Sequence, residues 1–149
     1  MKGFHLRFEI EGVPELSRVL MMEYKKVTDF STPLKQASKF ILADIEQNFI
    51  SEGGLVGGWT PLSQSTILGR IREGYGGAHP ILQKTGKLRK SFFSKVSKNK
   101  TMITSTSPYF PYHQSRSPRT KLPRRAMLVL TERTKQNIVQ SFNSFLRFK

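Results

Sequence analysis

Between Pro33 and Gly53 the apolar residues Leu34, Ala37, Ile41, Leu42, Ile45 and Phe49, together with Ser38, recur at steps of mostly three and four. An α-helix turns once in about 3.6 residues, so this spacing sets all seven on one face. A stripe of that length is stable in water only when something covers it, and the rest of the chain must supply the cover. Ser31-Thr32-Pro33 predicts the start, since hydroxyls can cap free amides and a proline in the first turn costs no hydrogen bond. Gly53-Gly54 predicts the stop.

The flanking segments offer candidates for that cover. Phe4-His5-Leu6-Arg7-Phe8-Glu9-Ile10-Glu11 alternates with period two, the pattern of a half-buried strand with Phe4, Leu6, Phe8 and Ile10 inward. After Gly12 and Pro14, the spacing of Leu16, Val19, Leu20 and Val27 predicts a first helix over 14–28. Residues 53–86 carry Gly53, Gly54, Gly57, Gly58, Gly74, Gly76, Gly77 and Gly86, with helical pattern only around 63–73. They read as a long loop excursion, a candidate for contact with a partner. Residues 87–93 predict a short helix. Ser94-Lys95-Val96-Ser97 and Met102-Ile103-Thr104-Ser105, flanking Lys98-Asn99-Lys100-Thr101, predict a hairpin. Pro108, Pro111, Pro118 and Pro123 break 107–124 into irregular chain, Ala126-Met127-Leu128-Val129-Leu130 reads as a short buried strand, and Thr131 can cap a last helix with Ile138, Phe142, Phe145 and Leu146 on its apolar face. The expectation is a single α+β domain over 1–149, with a small, mainly antiparallel sheet packed with helices. Its core would lie at about 4–50 and 87–148, its extended loop region at about 53–86 and its basic loop at about 107–124.

Charge is distributed unevenly. The chain carries 25 Lys plus Arg against 10 Asp plus Glu, a net of +15. Residues 1–83 are balanced, with nine of each sign, whereas residues 84–149 hold sixteen basic side chains and one acidic, Glu132. Charge gathered in this way draws a polyanionic neighbour, either nucleic acid or an acidic protein face. The competing reading is a solubilising surface.

Chemistry is harder to place. Without cysteine there is no thiolate metal site and no disulfide. His5, His79 and His113 stand far apart, none at a metal-binding spacing, and the glycine pairs lack the Lys and Ser or Thr of a phosphate loop. No catalytic group, metal or cofactor is therefore expected. No apolar run approaches the roughly 18 residues of a membrane span, and the first residues do not resemble a signal peptide, so a soluble protein made in the cytoplasm is expected. Tyr109, Phe110 and Tyr112 beside Arg116 and Arg119 could stack bases while the arginines hold phosphates, or they could simply pack on the sheet. Trp59 is either an anchor for its own loop or a buried hot spot at an interface.

The order of the remaining motifs is more telling than any one of them. Phe49-Ile50-Ser51-Glu52-Gly53 is followed by Gly58-Trp59-Thr60-Pro61-Leu62-Ser63, then Thr66 and Arg70, then Ile81-Leu82-Gln83-Lys84-Thr85-Gly86-Lys87-Leu88-Arg89-Lys90-Ser91. Ile103-Thr104-Ser105, Tyr109 to His113-Gln114 and Leu122-Pro123-Arg124-Arg125 complete the run. Over residues 34–146 it resembles the phage virion morphogenesis, or tail-completion, family (Mu G protein-like). In that family a helix ending in Phe leads to a W-x-P-L turn, an I-L-x-x-T/S-G-x-L turn, a hairpin, a Y-x-x-x-H-Q segment and a P-x-R ahead of a strand.

The resemblance implies a non-enzymatic virion protein of a tailed bacteriophage, a neck subunit at the head-tail junction. Copies would form a ring, six or twelve, between connector or adaptor and tail-terminator or tail-tube proteins, with possible non-specific contact to genomic DNA in the lumen. Trp59, Leu62, Tyr109, Phe110, Tyr112, His113 and Gln114 become interface candidates. Arg116, Arg119, Lys121, Arg124 and Arg125 become candidates for contact with DNA or an acidic surface, and Gly53, Gly58, Gly86 and Leu88 become turn and architectural positions. The family usually follows His-Gln with glycine and a short link to the proline; here Ser115-Arg116-Ser117-Pro118-Arg119-Thr120-Lys121 intervenes, so the basic loop is this chain's own feature. Arg124 and Arg125 are adjacent, and either could match the family arginine. The alternative function is a basic nucleic-acid-binding protein outside any particle, a regulator or packaging factor.

Overall fold

The computed structural model describes residues 29–115 and 122–147. The expected first strand and first helix lie outside the described residues, as do His5, Arg116, Arg119 and Lys121.

Helix α1, Ser31–Ile50, is the spine. Ala37, Ile41, Ile45 and Phe49, each four residues from the next, form one fully buried ridge. Its start differs from expectation. Ser31 and Thr32 lie inside the first turn, and the cap position is Phe30, which makes no side-chain cap bond. The exposed amide of Ser31 instead donates to Asp29 Oδ1 at 2.8 Å. At the far end Gly53 turns left-handed at φ 90° and its amide donates to Asn48 O at 2.8 Å.

The hairpin forms as the pattern predicts. Strands β1, Phe92–Val96, and β2, Thr101–Ser105, pair antiparallel with Phe92 opposite Ser105 and Val96 opposite Thr101. Among the described residues the sheet has these two strands, and α1 lies against it. Helix α2, Gln64–Arg72, sits within the glycine-rich stretch. Helix α3, Phe110–Gln114, lies where irregular chain was expected. Pro111 starts that helix instead of breaking it, because a first-turn amide has no helical acceptor to lose. Helix α4, Glu132–Leu146, packs along α1. Thr131 caps it as predicted, its hydroxyl accepting from Thr134 N at 3.1 Å and donating to Asp44 Oδ2 at 3.0 Å. Ile138 and Leu146 are buried, while the more open Phe142 and Phe145 have their rings 6.2 and 6.1 Å from Phe30. The short helix expected over 87–93 is a single 3-10 turn, Arg89–Ser91. Together these elements make a small α+β fold.

The segment expected as a buried strand, 126–130, is buried at Ala126, Met127 and Leu128, and among the described residues it pairs with no strand. Side chains bond its main chain. Gln114 Oε1 accepts from Met127 N and Leu128 N at 2.9 and 3.0 Å, and its Nε2 donates to Leu128 O at 3.0 Å. Asn48 Nδ2 donates to Ala126 O and Met127 O at 2.9 and 3.2 Å. Trp59 Nε1 adds a bond to Ala126 O at 2.8 Å. Buried main chain needs partners whatever their source, and here three side chains from three separate segments supply them.

Candidate interface groove

The stretch 53–86 is tied back to the end of α1 at several points. Trp59 is buried with its ring edge-on to Phe49 at 5.3 Å. Glu52 Oε1 accepts from Ile81 N at 2.7 Å, and its Oε2 meets His79 Nδ1 at 2.5 Å. Gln83 Nε2 donates to Phe49 O at 2.9 Å. Ile81 is buried in the core and Leu82 packs beside it. Gly53 is held to glycine twice over, by its left-handed φ and because a Cβ there would lie 2.6 Å from the backbone nitrogen of Trp59. Gly58 at φ 93° and Gly86 at φ 70° are turn positions with open space around them. Leu88 is buried.

Between these ties α2 stands proud. Leu68 is 47% exposed and Ile71 57%, while the one fully buried side chain of α2 is Arg70 at 5%. That inverts the amphipathic helix of a domain core, where the apolar face turns inward.

Beside α2 runs an open groove of about 950 Å³. Arg70, Arg125 and His113 line it, with Leu62, Leu82 and Pro123 among its apolar walls. Arg125 is 4% exposed; its Nε donates to Thr60 O at 2.8 Å and its Nη2 to Pro61 O at 3.0 Å. Its backbone amide donates to His113 O at 3.0 Å, which locks α3 to the chain after Pro123. Arg70 Nη1 donates to Pro80 O at 3.1 Å. Burial holds His113 below its ordinary pKa of 6.5, reinforced by the positive charge of Arg125. Burial likewise lowers Arg125.

The candidates from sequence therefore divide. Trp59 anchors its own loop. Gln114 is occupied with main chain, Phe110 packs edge-on to Phe92 at 5.2 Å, and His113 and Arg125 are interior. Leu62 is half-buried at the groove. Tyr109 at 67% exposure and Tyr112 at 47% face outward, so of the three neighbouring aromatics one packs on the sheet. Arg124 is exposed and its Nε donates to Gln114 O at 3.2 Å. Of the adjacent arginines, Arg125 is the architectural one. Two residues escaped the sequence reading. Asn48, fully buried, breaks an otherwise apolar ridge end beside Phe49, and a polar side chain in that position was the available signal. Arg70 carried no signal beyond its place in the motif order.

Among the described residues no three of His, Cys, Asp and Glu come together as a metal site, and no helix is long and apolar enough to cross a membrane. No family model, curated protein or solved structure matches the chain.

Proposed function

We propose that the protein is a structural neck, or tail-completion, subunit of a tailed bacteriophage virion, which joins head to tail as one copy in a ring and makes or breaks no bond. The observation that carries this reading is the outward face of α2. A helix that exposes Leu68 and Ile71 and buries an arginine needs a second surface to cover it, and a contact of that kind repeated around an axis closes a ring. The motif order supports the same reading, since Trp59, Gly53, Gln114 and Arg125 serve a shared architecture. Exposed Tyr109 and Tyr112 add aromatic surface of the type enriched at protein contacts. Light scattering and electron microscopy of the protein with connector and tail-tube proteins test it. A closed ring of six or twelve copies is the expected result, and a chain that stays monomeric in that mixture refutes it.

A basic nucleic-acid-binding role outside the particle is the second reading, favoured by the exposed Lys95, Lys98 and Lys100 along one hairpin. It requires the isolated protein to bind duplex DNA with an affinity that falls steeply as salt rises.

A further inference from the structure

The groove beside α2 contains two buried guanidinium groups with no carboxylate partner among the described residues. Among the described residues the ion pairs are His79 with Glu52, Lys84 with Glu73, Arg89 with Glu46 and Lys135 with Glu132; neither Arg70 nor Arg125 takes part. Three buried side-chain polar atoms lack any hydrogen-bond partner there, Arg70 Nε, His113 Nδ1 and Thr101 Oγ1, and the first two belong to residues lining this groove. A buried charge is costly unless it is paired, and an orphaned buried donor forfeits the full desolvation penalty. Carbonyl oxygens of Thr60, Pro61 and Pro80 satisfy part of the demand and neutralise none of the charge. Glu73, the one carboxylate among the described residues of the groove wall, pairs with Lys84.

We infer that this groove is a docking site for an acidic segment of a protein partner, in which an aspartate or glutamate side chain flanked by apolar residues enters and pairs with Arg70 and Arg125. The chemistry selects the occupant. A guanidinium matches a carboxylate in a planar, two-bond geometry, and the arginines sit among Leu62, Leu82 and Pro123, walls that suit apolar neighbours of the acidic residue. Duplex phosphates are a poor match, because they are met by protruding side chains, whereas these two are 5% and 4% exposed. This inference deepens the subunit reading by naming a site and the chemistry of what fills it, and the isolated chain suffices to test it.

The sole tryptophan, Trp59, adjoins Thr60 and Pro61, the residues that hold Arg125, so its fluorescence reports on the groove. The probe is a short peptide of alternating leucine and glutamate, titrated against full-length protein beside the same peptide with glutamine in place of glutamate. The glutamate peptide is expected to bind at least about tenfold more tightly, as a charge-assisted pair requires. Gly69 is in α2 on the groove wall, and a Cβ there meets nothing within 4 Å. Gly69→Leu therefore fills the groove while favouring the helix, and should abolish binding with thermal stability kept or raised. Arg70→Met should weaken binding about tenfold while the chain stays folded by circular dichroism. Equal binding of the two peptides overturns the inference, as does undiminished binding by folded Gly69→Leu. Orthophosphate that displaces the peptide at equal concentration, or duplex DNA that does so, also overturns it. Failure to form rings leaves the peptide result standing, so the two proposals fail separately.

Discussion

Gln114→Ala is the substitution that most directly tests how this fold is held together. The side chain is the partner of three main-chain groups, the amides of Met127 and Leu128 and the carbonyl of Leu128, and no other bond to any of them is present among the described residues. Met127 is fully buried and Leu128 is 5% exposed, so water reaches them only through the space the side chain vacates. Each orphaned group costs about 1–3 kcal/mol, and partial water entry keeps the sum toward the low end, about 3–5 kcal/mol. Against a whole-domain stability of about 5–15 kcal/mol that is a large fraction. In urea, with a slope of about 2 kcal/mol per molar, the unfolding midpoint followed by circular dichroism should fall by about 1.5–2.5 M. Two companions sharpen the test. Gln114→Glu keeps the acceptor for both amides but loses the donor to Leu128 O and sets a carboxylate oxygen near that carbonyl, so it should cost about 1–3 kcal/mol. Trp59→Phe removes a bond to Ala126 O, which Asn48 still serves, so its lost hydrogen bond should cost about 1 kcal/mol. If Gln114→Ala unfolds within about 0.5 kcal/mol of the parent, the side-chain ladder does not hold the segment and the reasoning fails.

Gly53→Ala should destabilise by about 2–4 kcal/mol, combining left-handed strain with collision against the Trp59 backbone, whereas Gly58→Ala, strained at φ 93° in open space, should lose only about 1–2 kcal/mol in the same urea series. For His113, burial and Arg125 set the folded pKa below the ordinary 6.5, so the unfolded chain binds the proton more readily. Its contribution to stability is therefore complete above pH 6.5 and is lost as pH falls below that value toward the folded pKa; His113→Gln should flatten that part of a stability-against-pH curve, and an unchanged slope refutes the assignment.

The elements legible in the sequence were those that local rules decide. The ridge from Ala37 to Phe49 follows from helical period, the hairpin from two short runs about Lys98-Asn99-Lys100, and the start of α4 from a threonine ahead of an amphipathic stretch. What escaped depended on distant partners. An apolar run such as Ala126 to Leu130 looks the same whether its amides meet a strand or a glutamine side chain, and Gln114 is held beside it by the bond from Arg125 N to His113 O. Pro111 reads as a breaker until its neighbours show that it opens a helix. The groove was beyond the pattern for the same reason, because Arg70 and Arg125 stand 55 positions apart and meet one cavity only once Trp59 has pinned the intervening chain.

Charge counting along the chain placed a boundary at residue 84, with neutrality before it and the whole excess after. Space divides the charge differently. Arg70 comes from the neutral part and Arg125 from the basic part, yet both are interior and line the same groove, while Lys95, Lys98 and Lys100 stay on the surface of the hairpin. The two sets act over different ranges. Exposed lysines attract an anionic partner at distances that salt shortens to about 10 Å at 0.1 M. Buried arginines act only at contact, where screening is weak and the geometry of the carboxylate decides the energy. A partner can thus be drawn by one set and held by the other, and a net of +15 does not by itself imply that DNA is what the protein holds.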